Sequence, residues 1–92
     1  MSVEHVPEIV VYWRPGCPYC TMLERDLLQS GLAYAWRNIW DDPDAAAFVR
    51  SVARGNETVP TVSVGDTSLV NPRLAEIEAL VAAAQSGQTR NE

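Results

Sequence analysis

Two cysteines separated by two residues are the part of this sequence with the most evident chemistry. They lie in the segment Cys17-Pro18-Tyr19-Cys20, between an apolar run and an amphipathic stretch that begins at Pro18. Proline is favoured at the first helical position, because its missing N–H would have no partner there. The sequence therefore predicts that Cys17 is the N-cap of a helix, with its sulfur facing the N–H groups of Tyr19 and Cys20.

This predicted position gives the two sulfurs different roles. The positive end of a helix favours a thiolate, and cysteines at helix N-termini or in C-x-x-C pairs have a pKa of about 3.5–7.5, against about 8.5 for a free thiol. Cys20 lies one turn further along the same face, on its more buried side. We therefore predict a redox pair in which Cys17 attacks and Cys20 resolves. Arg14 is a candidate to add positive charge or to orient a substrate carboxylate, with a solvated loop position as the alternative.

Two other uses of the cysteine pair are weaker. A zinc site needs about four ligands, and His5 is the only other Cys or His in the chain, so no metal site is predicted. A structural disulfide across so short a loop removes little entropy from the unfolded chain. The redox interpretation is the stronger one.

Composition limits the class of protein. The 92 residues predict one domain with a core over about residues 8–84 and frayed ends at 1–7 and 85–92. No stretch approaches a membrane span, and the first residues lack a signal-peptide pattern, so we expect a cytoplasmic protein, and a monomer. The net charge is −5 and the seven cationic residues are scattered arginines, which argues against nucleic-acid binding.

The hydrophobic pattern predicts the element order β-α-β-α-β-β-α. A strand over residues 8–13 is apolar without alternation, as expected when both faces are buried. A helix over 18–30 and a strand over 33–39 complete a βαβ unit with parallel strands. A helix over 43–54 follows, and strands 61–64 and 67–70 are joined by a two-residue hairpin at Gly65-Asp66.

Each of the three helices is predicted to begin with a capping residue followed by proline. The pairs are Cys17-Pro18, Asp42-Pro43 and Asn71-Pro72. The residues predicted to form the buried helix faces are Cys20, Leu23, Leu27 and Leu28, then Ala45, Phe48, Val49 and Val52, and finally Leu74, Ile77, Val81 and Ala84. The tryptophans Trp13, Trp36 and Trp40 are interpreted as strand packing.

The cysteine motif, the segment Thr58-Val59-Pro60 and the element order together resemble the glutaredoxin branch of the thioredoxin fold, over about residues 8–84. The resemblance implies an α/β fold with a four-stranded mixed sheet flanked by three helices. It also implies that the Val59-Pro60 bond is cis and packs beside the cysteines. The backbone of Val59 would then pair with an extended thiol substrate.

One segment departs from the glutaredoxins that use glutathione. These usually have Gly-Gly and then an acidic residue at the start of the last helix, where the glutamyl end of glutathione is held. Here residues 70–73 are Val-Asn-Pro-Arg, and the pattern is most similar to mycoredoxins, which act with mycothiol. The resemblance places Tyr19 and Asn71 at the small-thiol site, with plain exposure and helix capping as the respective alternatives. It implies a small thiol, mycothiol more than glutathione, as co-substrate and no tightly bound cofactor.

The predicted activity is reduction of mixed disulfides between proteins and a small thiol. Cys17, at a small exposed helix tip, attacks the small-thiol sulfur, and Cys20 or a second small thiol then releases it. The expected partners are S-thiolated proteins, the small thiol and its NADPH-dependent reductase. Two alternatives stay open: a dithiol donor recharged by a thioredoxin-reductase-type flavoprotein, and an iron–sulfur carrier in which Cys17 and a small thiol hold the cluster.

Overall fold

The protein forms seven elements in the predicted order. The computed structural model describes the backbone of residues 7–90 and the side chains of residues 7–85, so His5 lies outside the described residues. The elements are β1 Ile9–Trp13, α1 Pro18–Ser30, β2 Ala35–Asn38, α2 Pro43–Val52, β3 Thr61–Val64, β4 Thr67–Val70 and α3 Leu74–Arg90. Across this part of the chain, no helix is both long enough and apolar enough to cross a membrane.

The four strands form one mixed sheet in the order β2-β1-β3-β4. β1 and β2 are parallel, as a crossover through α1 requires. β3 runs antiparallel to both β1 and β4. Val64 pairs with Thr67, and Gly65 has a φ of 59°, so the predicted two-residue hairpin is confirmed.

β1 is buried on both faces, as its continuous apolar run predicts. Ile9 and Val11 pack with residues of α1, β3 and α3 in one buried cluster. Tyr12 packs with α2 in a second cluster, and Val10 lies against it. The sheet therefore carries α1 and α3 on one face and α2 on the other, and β1 anchors both layers.

Several element ends differ from the sequence prediction. β2 begins at Ala35 and not at residue 33. α2 ends at Val52, since Arg54 and Gly55 have φ values of 59° and 87°, outside the helical region. α3 extends to Arg90, beyond residue 84 and into the segment predicted to fray.

The cap-plus-proline signal is correct at the first two helices and wrong at the third. Asp42 caps α2 and accepts the Ala45 N–H at 3.1 Å. Asn71 has a φ of 53°, a left-handed turn conformation and not the extended one of an N-cap. α3 begins two residues after Pro72. The N–H of Arg73 donates to Glu76 Oε1 at 2.8 Å, which is the helix-side half of a capping box.

Three residues predicted to pack are exposed. Leu28 is 67 % exposed, because it lies about 100° further around α1 than the fully buried Leu27. Trp40 is 63 % exposed, because it follows the end of β2 and lies in a loop. Ala84 is exposed in the second half of α3.

The two adjacent leucines of α1 provide a matched test of the core. Leu27→Ala removes a fully buried side chain and is expected to lower the free energy of unfolding by about 2–5 kcal/mol. Leu28→Ala is expected to change it by less than about 0.5 kcal/mol. Urea denaturation of both variants measures the difference, and equal losses would contradict this packing.

Candidate active site

Cys17 is the N-cap of α1. Its backbone is extended, with φ −103° and ψ 105°, and its Sγ accepts the Cys20 N–H at 3.2 Å. The Cys17 carbonyl accepts both the N–H and the Oγ1–H of Thr21, at 3.2 and 3.3 Å. The predicted cap is therefore confirmed, and of the two expected donors Cys20 makes the bond. A sulfur in this position lies where the helix favours negative charge.

Cys17 is less accessible than the sequence predicts. The residue is 7 % exposed, although its neighbours Gly16 and Pro18 are both exposed. The reason is that the sulfur turns inward to the helix N–H and lies 3.8 Å from the carbonyl oxygen of Val59, to which its S–H donates. A substrate sulfur therefore has a narrow approach, between the tip of α1 and the segment before Pro60.

Cys20 is chemically distinct from Cys17. It is 2 % exposed, and both cysteines are free thiols. Burial raises the pKa of the Cys20 thiol to about 12, and its side-chain hydrogen bond with Cys17 acts in the same direction. A backbone hydrogen bond from Arg14 and the Arg14 charge oppose these effects. Cys20 therefore stays protonated near neutral pH and can donate to a Cys17 thiolate.

The sheet register explains why distant segments meet at the cysteines. Trp13 pairs with Asn38, Tyr12 pairs with Thr61, and Thr61 also pairs with Val70. The ends of β1, β2 and β4 and the start of β3 therefore lie at one end of the sheet. The loops that share this end cover residues 14–17, 39–42, 58–60 and 71–73.

The segment before β3 forms one wall of the site. The Val59-Pro60 bond is cis, as the resemblance implies, and Pro60 is buried. Thr61 Oγ1 donates to the Thr58 carbonyl at 2.8 Å and so holds the turn. The Asn71 N–H donates to the Pro60 carbonyl at 2.7 Å, which ties the β4–α3 turn to this wall.

Arg14 is held by an aromatic residue that the sequence analysis assigned to packing. Its guanidinium carbon lies 5.9 Å from the centroid of the Trp40 ring, within the range of a cation–π contact. Asn38 Oδ1 accepts the Trp40 N–H at 2.9 Å, which fixes the loop that carries the ring. Arg14 and Trp40 therefore border the cysteine pair on the β2 side.

A groove borders the motif on the other side, between α1 and the turn that leads into α3. We call it the α1–α3 groove. Its volume is about 430 Å³, which lies within the range of small-molecule sites. Its lining includes Tyr19, Met22, Asp26, Asn71, Pro72 and Arg73. The groove thus joins two predicted site residues, Tyr19 and Asn71, to α1 residues that sequence reasoning missed.

Comparison with known proteins agrees with this arrangement. The glutaredoxin family model matches residues 9–69, which span β1 through most of β4. The chain belongs to the glutaredoxin family. It is therefore a thiol-disulfide oxidoreductase, of a family that acts with low-molecular-weight thiols and protein substrates.

Two relatives and one solved structure are similar to this chain over most of its length. A Mycobacterium tuberculosis protein that carries a glutaredoxin name is 40 % identical to this chain. The match covers 77 % of this chain and 86 % of that protein. Mycoredoxin 1 of Corynebacterium glutamicum is 37 % identical, covering 82 % of this chain and 94 % of its own. NrdH-redoxin from Escherichia coli, described as glutaredoxin-like with a thioredoxin-like activity profile, has a TM-score of 0.68 at 30 % identity, covering 79 % and 93 % of the two chains.

In this glutaredoxin, sequence reasoning found the residues on the motif side of the site and missed those that tertiary contacts bring in. Trp40, Met22 and Asp26 have no distinctive local signal, since each reads as an ordinary loop or helix-face residue. Glu76 was missed because the last helix was predicted to begin at Pro72 with Asn71 as its cap. Among the side chains that the structure describes, no three Cys, His, Asp or Glu residues lie together as a metal site.

The different environments of the two sulfurs predict selective alkylation of the reduced protein. At pH 7.5, iodoacetamide should modify Cys17 at least about tenfold faster than Cys20, because the thiolate is the reacting form and Cys20 is held as the thiol. Labelling of Cys20 should increase only as the pH rises toward its elevated pKa.

Peptide mass spectrometry of samples quenched at successive times measures the two rates. The unfolded protein in urea is the control, since both thiols are solvated there and should react at similar rates. Faster labelling of Cys20 than of Cys17 in the folded protein would contradict the assigned asymmetry.

Proposed function

We propose that this glutaredoxin reduces mixed disulfides between proteins and mycothiol, with Cys17 as the nucleophile and Cys20 as the resolving thiol. The observation that carries the proposal is the 3.2 Å hydrogen bond from the Cys20 N–H to Cys17 Sγ at the start of α1. It stabilises a thiolate beside the cis-proline wall, and Tyr19 of the same motif lines the α1–α3 groove. Thiolates are the attacking species in disulfide exchange.

The reaction begins with attack of the Cys17 thiolate on the mycothiol sulfur of the mixed disulfide. A Cys17–mycothiol disulfide forms, the original disulfide breaks, and the protein substrate leaves as a thiolate that takes up a proton. A second mycothiol thiolate then attacks the mycothiol sulfur, which releases mycothiol disulfide and returns the Cys17 thiolate. Alternatively, Cys20 loses its proton and attacks Cys17 Sγ, which gives the Cys17–Cys20 disulfide and free mycothiol.

The raised pKa of Cys20 supports this order of events. A thiol that stays protonated at neutral pH does not compete with Cys17 for the incoming disulfide. It becomes the attacking group only after Cys17 is bonded to the small thiol, when the Cys17 sulfur no longer accepts its hydrogen bond as a thiolate. An external thiol can therefore complete the cycle while Cys20 remains the thiol.

The remaining candidate residues would line the approach of the substrate to Cys17. The backbone N–H and C=O of Val59 would pair with the substrate beside Pro60, and Thr58 would border the same wall. Tyr19 and Asn71 would contact the non-sulfur part of the small thiol in the α1–α3 groove. Arg14, held by Trp40, would contact the substrate on the opposite side.

Mycothiol is favoured over glutathione by two observations. The relatives include mycoredoxin 1, over 94 % of its length. The segment that leads into α3 is Val-Asn-Pro-Arg and has no Gly-Gly pair followed by an acidic residue. An NADPH-dependent mycothiol disulfide reductase would then complete the cycle, and a cytoplasmic location would supply both the thiol and the NADPH.

A second function is supported by the likeness to NrdH-redoxin, whose thioredoxin-like activity profile is stated of that protein. In this alternative both cysteines reduce a protein disulfide directly, and a thioredoxin-reductase-type flavoprotein recharges the pair. The two functions differ in whether Cys20 is essential. They also differ in which reductase passes electrons from NADPH.

Substitution of the cysteines separates the two functions. Cys17→Ser should lower the rate of reduction of a protein–mycothiol mixed disulfide by at least about a hundredfold, because the nucleophile is lost. Cys20→Ser should keep a large part of the rate, since external mycothiol resolves the intermediate. NADPH oxidation coupled through mycothiol and its reductase gives the rates.

The matched assay replaces mycothiol and its reductase with a thioredoxin-reductase-type flavoprotein. Loss of activity in Cys20→Ser together with efficient coupling to this flavoprotein would establish the second function. An active Cys17→Ser variant would refute both. The mass of the adduct on Cys17, in the Cys20→Ser protein isolated from cells, identifies the small thiol.

A further inference from the structure

We infer that Glu76 is a specificity residue that makes the α1–α3 groove select against small thiols with a carboxylate at the non-sulfur end, and in favour of uncharged polar ones. The inference rests on the proposed function, because it concerns how the same site distinguishes its small-thiol substrates. It comes from the contact between Glu76 and the backbone of Arg73, a residue that lines the groove.

The groove is connected to the reacting sulfur through short contacts. Cys17 Sγ lies 3.8 Å from the Val59 carbonyl oxygen, and the next carbonyl, of Pro60, accepts the Asn71 N–H at 2.7 Å. On the α1 side, Tyr19 precedes Cys20 and is 62 % exposed in the groove wall. The groove therefore lies beside the segments that surround Cys17, and we place the non-sulfur end of a bonded small thiol there.

The start of α3 would ordinarily attract a carboxylate. Free N–H groups and the helix dipole make a helix N-terminus an anion-binding position. Here an internal carboxylate already lies at that position, since Glu76 Oε1 accepts the Arg73 N–H at 2.8 Å. The Arg73 N–H is therefore not available to a substrate carboxylate, which would also be repelled by the negative charge of Glu76.

The charged side chains of the groove do not compensate for the negative charge of Glu76. Arg73 contributes one guanidinium, but Asp26 on the α1 wall contributes a carboxylate, and Glu76 adds a second beside the turn. The Tyr19 phenol and the Asn71 amide can each both donate and accept hydrogen bonds. This combination suits hydroxyl and amide groups of a substrate better than a further carboxylate.

The experiment compares one thiol with and without its carboxylate charges. A peptide is prepared as its mixed disulfide with glutathione and, separately, with glutathione diethyl ester, in which both carboxyls are esterified. Single-turnover release of the peptide thiol by the reduced protein is measured over a range of disulfide concentrations, which separates binding from the exchange step. The natural protein should prefer the ester.

Glu76→Gln keeps a side-chain oxygen able to cap α3 and removes the charge. It should reduce the preference for the ester about fivefold, as expected for one charge pair at about 4 Å in water. The change should appear in the disulfide concentration at half-saturation and not in the maximal rate. In about 1 M salt, the natural protein and the variant should show the same preference, because the salt screens the charge. Asp26→Asn should change the preference in the same direction.

Glu78→Gln is the matched control, because Glu78 is exposed on the same helix but, unlike Glu76, has no hydrogen bond to the groove residue Arg73. It should behave as the natural protein does. An unchanged preference in either Glu76→Gln or Asp26→Asn, with Cys17-dependent release intact, would overturn this inference and leave the proposed function standing. Release of peptide thiol by Cys17→Ser would instead overturn the proposed function.

Discussion

The site depends on one hydrogen bond, from the backbone N–H of Cys20 to Cys17 Sγ at the first turn of α1. The bond uses a helix N–H that has no partner within the helix, so it stabilises the fold as an ordinary cap does. The same bond stabilises negative charge on the Cys17 sulfur and so favours the nucleophilic thiolate. A capping residue with a side-chain oxygen would make the same kind of bond without supplying a nucleophile. The Cys20 side chain lies one turn further along α1, where burial raises the pKa of its thiol.

The second constraint is the sheet register, which brings four loops to the same end of β1. The Tyr12–Thr61 and Thr61–Val70 pairs place the cis-proline segment and the β4–α3 turn beside the cysteine loop. The hydrogen bond from the Asn71 N–H to the Pro60 carbonyl then joins two of these loops directly. The walls of the site are therefore held by backbone contacts, together with the hydrogen bond from the Thr61 hydroxyl to the Thr58 carbonyl.

Family membership and local detail answer different questions about this protein. The glutaredoxin match establishes disulfide exchange as the chemistry. The inferred choice of small thiol rests instead on the Glu76 cap and the α1–α3 groove, whose residues other than Tyr19 lie outside the cysteine motif. The narrow access to Cys17 adds a second restriction, since a substrate must enter between Val59 and the tip of α1.

The sequence alone determined the element order, the parallel βαβ unit, the hairpin at Gly65 and the cysteine cap of α1. These depend on local patterns: apolar runs, cap-plus-proline pairs and turn residues, whose energies act within a few positions. Only the tertiary structure decided that Asn71 occupies a left-handed turn, that Trp40 lies over Arg14 and that Cys17 is nearly buried. Each of these follows from contacts between segments far apart in the chain, which local patterns do not encode.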